Sequence, residues 1–285
     1  MVKIILNPIG GLANRMRSIA SGISLAQKCE VDYTIIWYKN WELNATFEDI
    51  FDHNHLVSNH VVYPSALKYN LFYSVPRKKN FYVSELAQMH YGAVLTDFSN
   101  EFYNLIKGKD SDENILDIVC ATLKGGKDCY IQSGCNFYTC SKELYQNLFV
   151  ANKSIKADVD RVLETMGETP IGIHIRRTDN KQSILHSPDN LFINEIRERL
   201  SSFPGQHFYL ATDDEATKKK FIQLFGPAIR VSYEKANRNS RSGIIHAATE
   251  MMVLSRMSEI LGSHYSSFSE VAALMGNIPL KQMYV

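Results

Sequence analysis

The sequence has almost no excess of charge. Its 31 Lys and Arg stand against 30 Asp and Glu, a formal net charge of +1. A protein that grips duplex nucleic acid by its phosphates carries a basic excess or a basic face. The totals show none, and a nucleic-acid partner is set aside. The short runs Arg77-Lys78-Lys79 and Lys218-Lys219-Lys220 read as solvated faces or turns. A disulfide framework is missing too, since five cysteines is an odd number. Cys129, Cys135 and Cys140 lie close together, but without the paired short spacing of a zinc knuckle and with no histidine nearby. Cysteine usage supports reduced thiols in a cytoplasmic protein. No stretch reaches the roughly 18 apolar residues of a membrane span. The opening MVKIIL runs straight into a polar, Gly-containing turn, which is too short for the core of a secretion signal. The chain is therefore expected to start at or near Met1, to be cytoplasmic and to lack a membrane span. Peripheral association with a membrane stays open.

What remains is an ordinary globular composition: 285 residues, 45% hydrophobic and 21% charged. That length suits two small domains or one large one. Val2 to Leu6 is a short apolar run suited to a buried strand. Gly10-Gly11 makes a tight turn, and Leu12, Met16, Ile19, Ile23 and Ala26 then share one helical face. Tyr33 to Trp37 resumes strand character, so the chain opens as a parallel βαβ unit. Residues 40 to 126 show no long periodic run. Within them Ser65 to Arg77 and Glu85 to Asn104 fit helix or loop. Cys129 to Gln132 reads as a strand.

After residue 150, strand and helix alternate cleanly. A helix over Ile155 to Met166 takes Ser154 as its cap, and Pro170 to Ile175 is a strand. Ser187-Pro188-Asp189 looks like a capped helix start. His207 to Ala211 is a strand, and Asp213 to Phe225 is a helix closed by Gly226 and Pro227. Ala228 to Ser232, Gly243 to Met257, Glu259 to Leu261 and Ser267 to Met275 continue the alternation. The pattern predicts an α/β protein built on parallel sheets. Such sheets bind ligands at the carboxyl ends of their strands.

Four clusters fall at those ends. Gly10, Gly11, Asn14 and Arg15 sit where backbone can approach an anion at a helix start. The spacing is neither the dinucleotide GxGxxG nor a P-loop, and a plain tight turn explains Gly-Gly equally well. In the second cluster a strand ends as His174-Ile175-Arg176-Arg177-Thr178-Asp179. Paired arginines clamp phosphate oxygens. The alternative is an ion pair of one Arg with Asp179, and a core role for His174. In Thr212-Asp213-Asp214, Asp213 can cap the next helix while the other acid binds a ligand or a metal. Ser266, Ser267 and Phe268 begin a hydroxyl-rich helix that suits a phosphate, or is simply well capped.

Taken together, Gly10-Gly11-x-x-Asn14, His174-x-Arg176-Arg177-x-Asp179, Ala211-Thr212-Asp213-Asp214 and Ser266-Ser267-Phe268 resemble the GDP-fucose-dependent fucosyltransferase superfamily. That superfamily includes α1,2- and α1,6-fucosyltransferases, the nodulation fucosyltransferase and the protein O-fucosyltransferases. The resemblance spans Gly10 to Ser269, with no recognisable match over residues 40 to 126. It implies a GT-B fold of two Rossmann-like domains whose parallel sheets face a central cleft. Residues 1–152 would form the acceptor side and 153–285 the nucleotide-sugar side. It implies inverting, metal-independent transfer of fucose from GDP-fucose to a glycan acceptor, with no cofactor. Arg176, with Arg177, would neutralise the departing diphosphate. His174 and an acid of the Asp213–Asp214 pair would hold guanine. Ser266 and Ser267 would bind the diphosphate, with Gly11 and Asn14 approaching it. Glu250 would support the ribose or its loop. The chain departs from the α1,6 pattern at the base, with Asn180 and Ile184 where relatives carry Lys and Glu. His186 or Asp189 could substitute; otherwise the base lies in the first domain, or the reaction is dissociative enough to need little help. A transferase for another nucleotide sugar, or a non-catalytic binding protein of the same fold, remains the alternative.

Overall fold

The computed structural model describes residues 1–74, 89–178, 180–234 and 237–285. The candidate Asp179 and the basic run Arg77-Lys78-Lys79 lie outside the described residues. The chain forms two compact units. One holds residues 1–48 and 53–150, the other residues 49–52 and 151–285. Among the described residues no helix is long and apolar enough to cross a membrane.

The first unit is a five-stranded sheet in the order β3-β2-β1-β5-β4. Its strands are β1 (Lys3–Pro8), β2 (Asp32–Ile36), β3 (Val61–Val62), β4 (Ala93–Thr96) and β5 (Cys129–Ser133), all paired in parallel. The first helix, Leu12–Cys29, buries every residue of the expected stripe. Gly22 lets it lie against β1, because a Cβ there would meet the Leu6 side chain at 2.4 Å. Among the described residues, the stretch without periodicity holds strands β3 and β4 and three helices, Ala66–Phe72, Asn100–Lys107 and Ser111–Lys124. The last buries Ile115, Val119 and Leu123 at four-residue spacing.

The second unit is also all-parallel, in the order β10-β9-β6-β7-β8. Here β6 is Ile171–Ile175, β7 Phe208–Thr212, β8 Ile229–Val231, β9 Glu259–Ser263 and β10 Leu280–Met283. Strand β10 was not expected. Two caps differ from expectation. Asn152, not Ser154, caps helix Lys153–Leu163 by accepting from Ile155 N at 3.0 Å. Ser187 does not cap helix Asp189–Ser202. Its hydroxyl accepts from His264 N at 2.8 Å instead.

Strand alternation sorts the second unit's residues by face. Ile171, Ile173 and Ile175 join Phe208, Leu210, Phe192 and Phe221 in one core. Gly172 and His174 therefore take the opposite face. A Cβ on Gly172 would meet Leu254 at 2.8 Å and Met257 at 3.0 Å, which places helix Arg241–Leu254 over that face. The sheet winds away in both directions from the β6–β9 pair. That is the switch point outside which such folds open a ligand crevice.

Candidate functional site

The residues following β6, β7 and β9 meet at this switch point. Asp213 links two of the loops. Its Oδ1 accepts the backbone N–H of Arg177 at 2.7 Å, and its Oδ2 accepts from Thr178 Oγ1 at 2.6 Å and pairs with Arg176 Nη1 at 3.0 Å. Asp213 is thus not a helix cap. Asp214 is the cap, with its Oδ2 accepting from both the N–H and the hydroxyl of Thr217 at 2.7 Å. Burial opposes its charge, but the Thr217 bonds win and hold the Asp214 carboxyl below its ordinary range. Both acids of the pair are committed to protein groups.

The two arginines are not equivalent. Arg176 retains 17% side-chain exposure beside Asp213, with its backbone N–H on Ser263 Oγ at 3.2 Å. Arg177 turns inward. Its Nε and Nη2 donate to Asp189 Oδ1 at 2.9 and 2.6 Å, Nη2 also reaches Ser187 O at 2.7 Å, and Nη1 reaches Arg176 O at 2.9 Å. Lys220 holds the other Asp189 oxygen at 2.8 Å. The expectation of two matched guanidinium groups facing a ligand is corrected here. Arg177 is a strut for its own turn, and its carboxylate partner is Asp189.

His174 is 4% exposed. Its Nδ1 lies 3.3 Å from Ser266 Oγ, and its ring stacks on Phe268 with centroids 4.8 Å apart. Burial, with Arg176 next and Asp213 opposing, pushes the imidazole down to about 3. It is neutral at physiological pH. Ser266 begins helix Ser267–Gly276 without a side-chain cap bond, because its hydroxyl faces His174 instead. Phe268 braces the histidine, and Ser267 lies in the first turn of the helix.

Glu250 shares this face of the sheet. It is 6% exposed, and its Oε1 has no hydrogen-bond partner among the described residues. Its other oxygen lies 3.6 Å from His246 Nε2. Burial raises the carboxyl to about 8. Lys218 opposes that shift, and Asp213, Glu234 and Glu215 add to it. Sequence reasoning missed its surroundings. Lys218 is 3% exposed rather than solvated, with its Nζ on Glu215 Oε1 at 3.0 Å and Glu234 O at 3.4 Å. The one legible signal was a single acid in the apolar stretch of helix Arg241–Leu254.

In the first unit, Gly10, Gly11 and Asn14 do lie together after β1. Gly10 has φ +84°, and a Cβ there would come within 2.8 Å of Asn14 Nδ2. Arg15 does not join them. It is 1% exposed, with Nε on Gly10 O at 3.0 Å, Nη1 on Tyr38 O at 2.8 Å and Nη2 on Asn40 Oδ1 at 3.0 Å, over the Trp37 ring. Burial lowers it to about 10, and it stays charged. The expected donor role for Arg15 gives way to a structural one. Of the aromatics in and around this unit's sheet, Trp37 and Tyr91 are core, Tyr38 stacks on Tyr69 at 3.8 Å, and Trp41 is exposed.

Among the described residues no group of three or more His, Cys, Asp or Glu side chains is placed to hold a metal ion. No protein-family model matches the chain, and no curated protein matches it. Solved structures do. NodZ alpha-1,6-fucosyltransferase soaked with GDP-fucose is 16% identical at a TM-score of 0.60, over 99% of this chain and 94% of that one. Fucosyltransferase NodZ from Bradyrhizobium is 18% identical at 0.61, over the same shares. POFUT1 in complex with GDP-fucose is 10% identical at 0.59, over 100% and 99%. The chain therefore has the α/β fold of these fucosyltransferases, the GT-B type with two Rossmann-like units built on five-stranded parallel sheets.

Proposed function

We propose that this protein is a glycosyltransferase that moves fucose from GDP-fucose to a glycan acceptor, with inversion and without a metal. The observation that carries the reading is Arg176, held by Asp213 at the carboxyl end of β6 beside the switch point. Breaking the sugar–phosphate bond builds negative charge on the β-phosphate. A guanidinium already fixed in place favours that charge more in the transition state than in the ground state. The start of helix Ser267–Gly276, where the Ser266 hydroxyl is turned to His174, adds backbone donors for the same diphosphate. Among the matching solved structures are NodZ soaked with GDP-fucose, NodZ co-crystallised with GDP and POFUT1 in complex with GDP-fucose.

For guanine the reading differs from the one the sequence suggests. Asp213 and Asp214 are already engaged. Glu250 is the buried acid with an oxygen to spare. Guanine offers two adjacent N–H donors on one edge, and Glu250 would accept both once deprotonated, so guanine binding would release the proton that burial keeps on it. Neutral His174 on the same face supplies a further hydrogen-bonding edge. Five free thiols suit a reducing, cytoplasmic setting.

A second reading has one observation in its favour. Both sequence candidates for a general base nearby are engaged with protein groups: Asp189 is held by Arg177 and Lys220, and the His186 ring packs against His264 and Tyr265. A binding protein without turnover would tolerate this. The test is calorimetry with GDP, UDP and ADP, followed by GDP-fucose hydrolysis and transfer. We expect GDP to bind preferentially, hydrolysis to be measurable, and Arg176→Ala to remove turnover while the protein stays folded. UDP binding without GDP binding would reject the donor, and full activity in Arg176→Ala would reject the mechanism.

A further inference from the structure

The loops after β6 and β9 do more than shape the donor site. They also carry a set of rings that the reading above leaves unused. His264 and Tyr265 have ring centroids 4.1 Å apart, and His264 stacks on Tyr284 at 5.0 Å and 30°. His186 closes the set, 6.3 Å from His264 and 6.2 Å from Tyr265. Tyr265 is 58% exposed and Tyr284 62%. The polar edges are fixed as well, since His264 Nδ1 lies 2.8 Å from Gln282 Oε1.

The backbone is held at a cost to present these rings. Tyr265 adopts φ +57°, a left-handed conformation that a bulky side chain takes only when its surroundings over-determine it. Three side chains do so. Asn180 Nδ2 donates to Tyr265 O at 2.8 Å, Ser183 Oγ donates to His264 O at 2.6 Å, and Ser187 Oγ accepts from His264 N at 2.8 Å. The C-terminal segment is pinned to the same place by Val285 N on His186 O at 3.0 Å. None of these bonds buries the Tyr265 ring. They fix the turn and leave the ring in solvent, directly before Ser266 and its contact with His174.

We propose that His186, His264, Tyr265 and Tyr284 form a stacking platform for a pyranose ring of the glycan acceptor. A pyranose has an apolar C–H face and a rim of hydroxyls. Exposed phenol faces and imidazole edges match that division. The platform is continuous with the donor site through two adjacent positions, Tyr265 and Ser266. His186, a sequence candidate for the base, is assigned here to ring packing. The inference rests on the transferase reading and names the acceptor's side of it.

The test is saturation-transfer NMR on the full chain with GDP present. The probes are the methyl glycosides of galactose, glucose, mannose and N-acetylglucosamine at millimolar concentration. We expect transfer to the C–H face of at least one probe, reduced roughly tenfold in Tyr265→Ala and Tyr284→Ala. Tyr265→Asn tolerates the left-handed backbone and checks that the ring, rather than a disturbed turn, is responsible. GDP affinity by calorimetry is expected to be unchanged in all three. No saccharide signal with GDP bound, or an equal signal in the variants, overturns the platform. A loss of GDP affinity in the variants also overturns it, by assigning the rings to the nucleotide. Failure of the wild-type chain to bind GDP overturns the transferase reading itself and is seen separately.

Discussion

Asp213 accepts the backbone N–H of Arg177 at 2.7 Å while its second oxygen pairs with the Arg176 guanidinium at 3.0 Å. One carboxylate therefore fixes both the path of the turn and the direction of its functional side chain. Asp213→Asn keeps the shape and loses the charge. The expected result is a fall in turnover of about 100-fold with a smaller change in GDP affinity, because a misaimed donor costs most where charge develops. Single-turnover kinetics beside calorimetry measure the two effects separately.

Arg177→Ala is expected to act on folding. Removing one partner of a largely buried pair costs about 3 kcal/mol, and Arg177 and Asp189 are only 12% and 19% exposed. Lys220 on the same carboxylate softens the loss. A thermal melt reads this as a drop of several degrees. Arg176→Ala, whose removal leaves Asp213 bonded to Arg177 N and Thr178, is expected to melt near the wild-type temperature.

Glu250 and His174 give stability opposite pH slopes. Glu250 is raised in the folded chain to about 8 from an ordinary 4.5, so the folded state holds a proton that the unfolded state has released. Its contribution is full below about 4.5 and is lost as pH rises toward 8. His174 is lowered from 6.5 to about 3, so its contribution is present above 6.5 and is lost on acidification. Between about 4.5 and 6.5 the two oppose one another. Above 6.5 only the Glu250 slope remains, near 1.4 kcal/mol per pH unit for one proton. Melting temperature is expected to fall from pH 6.5 to 8 in the wild type, and Glu250→Gln is expected to flatten that fall.

Cys29 and Cys120 have sulfurs 3.5 Å apart, although the cysteine count argued against a full disulfide framework. Oxidised glutathione is expected to cross-link this pair: the two protein thiols become a disulfide, the glutathione disulfide is reduced, and the two protons pass to the two glutathione thiols formed. Burial raises Cys29 to about 12, so the reaction is slow at neutral pH. Peptide mapping after alkylation should find Cys29 joined to Cys120, and Cys120→Ser should abolish the link.

Most of the second unit was legible because its central strands are unbroken buried runs, whereas β10, with one buried residue, was missed. All five residues of β6 and all five of β7 are buried. Residues 40 to 126 were not. Strand β3 has two residues, β4 is half-exposed, and helix Ala66–Phe72 buries none of its side chains. Elements that short take their form from neighbours rather than from periodicity. Within the site, residue type was legible but allegiance was not. Arg176 and Arg177 look alike in sequence, as do Asp213 and Asp214. Only the packing of β7 beside β6 turns Asp213 across to the arginine turn while Asp214 stays with its own helix.

Residues 49–52 belong with the second unit although they come early in the chain. Phe51 bridges Ala151, Ile50 O accepts from Asn152 N at 3.0 Å, Asp49 pairs with Arg241 and Asp52 with Lys156. The polypeptide thus passes between the units three times instead of once. No single cut can release the later half intact. A fragment starting at residue 153 would uncover the seat of Ile50 and Phe51, which are 0% and 2% exposed, and leave Arg241 and Lys156 without those carboxylates. Four borrowed residues make the later half's autonomy depend on the earlier half's chain.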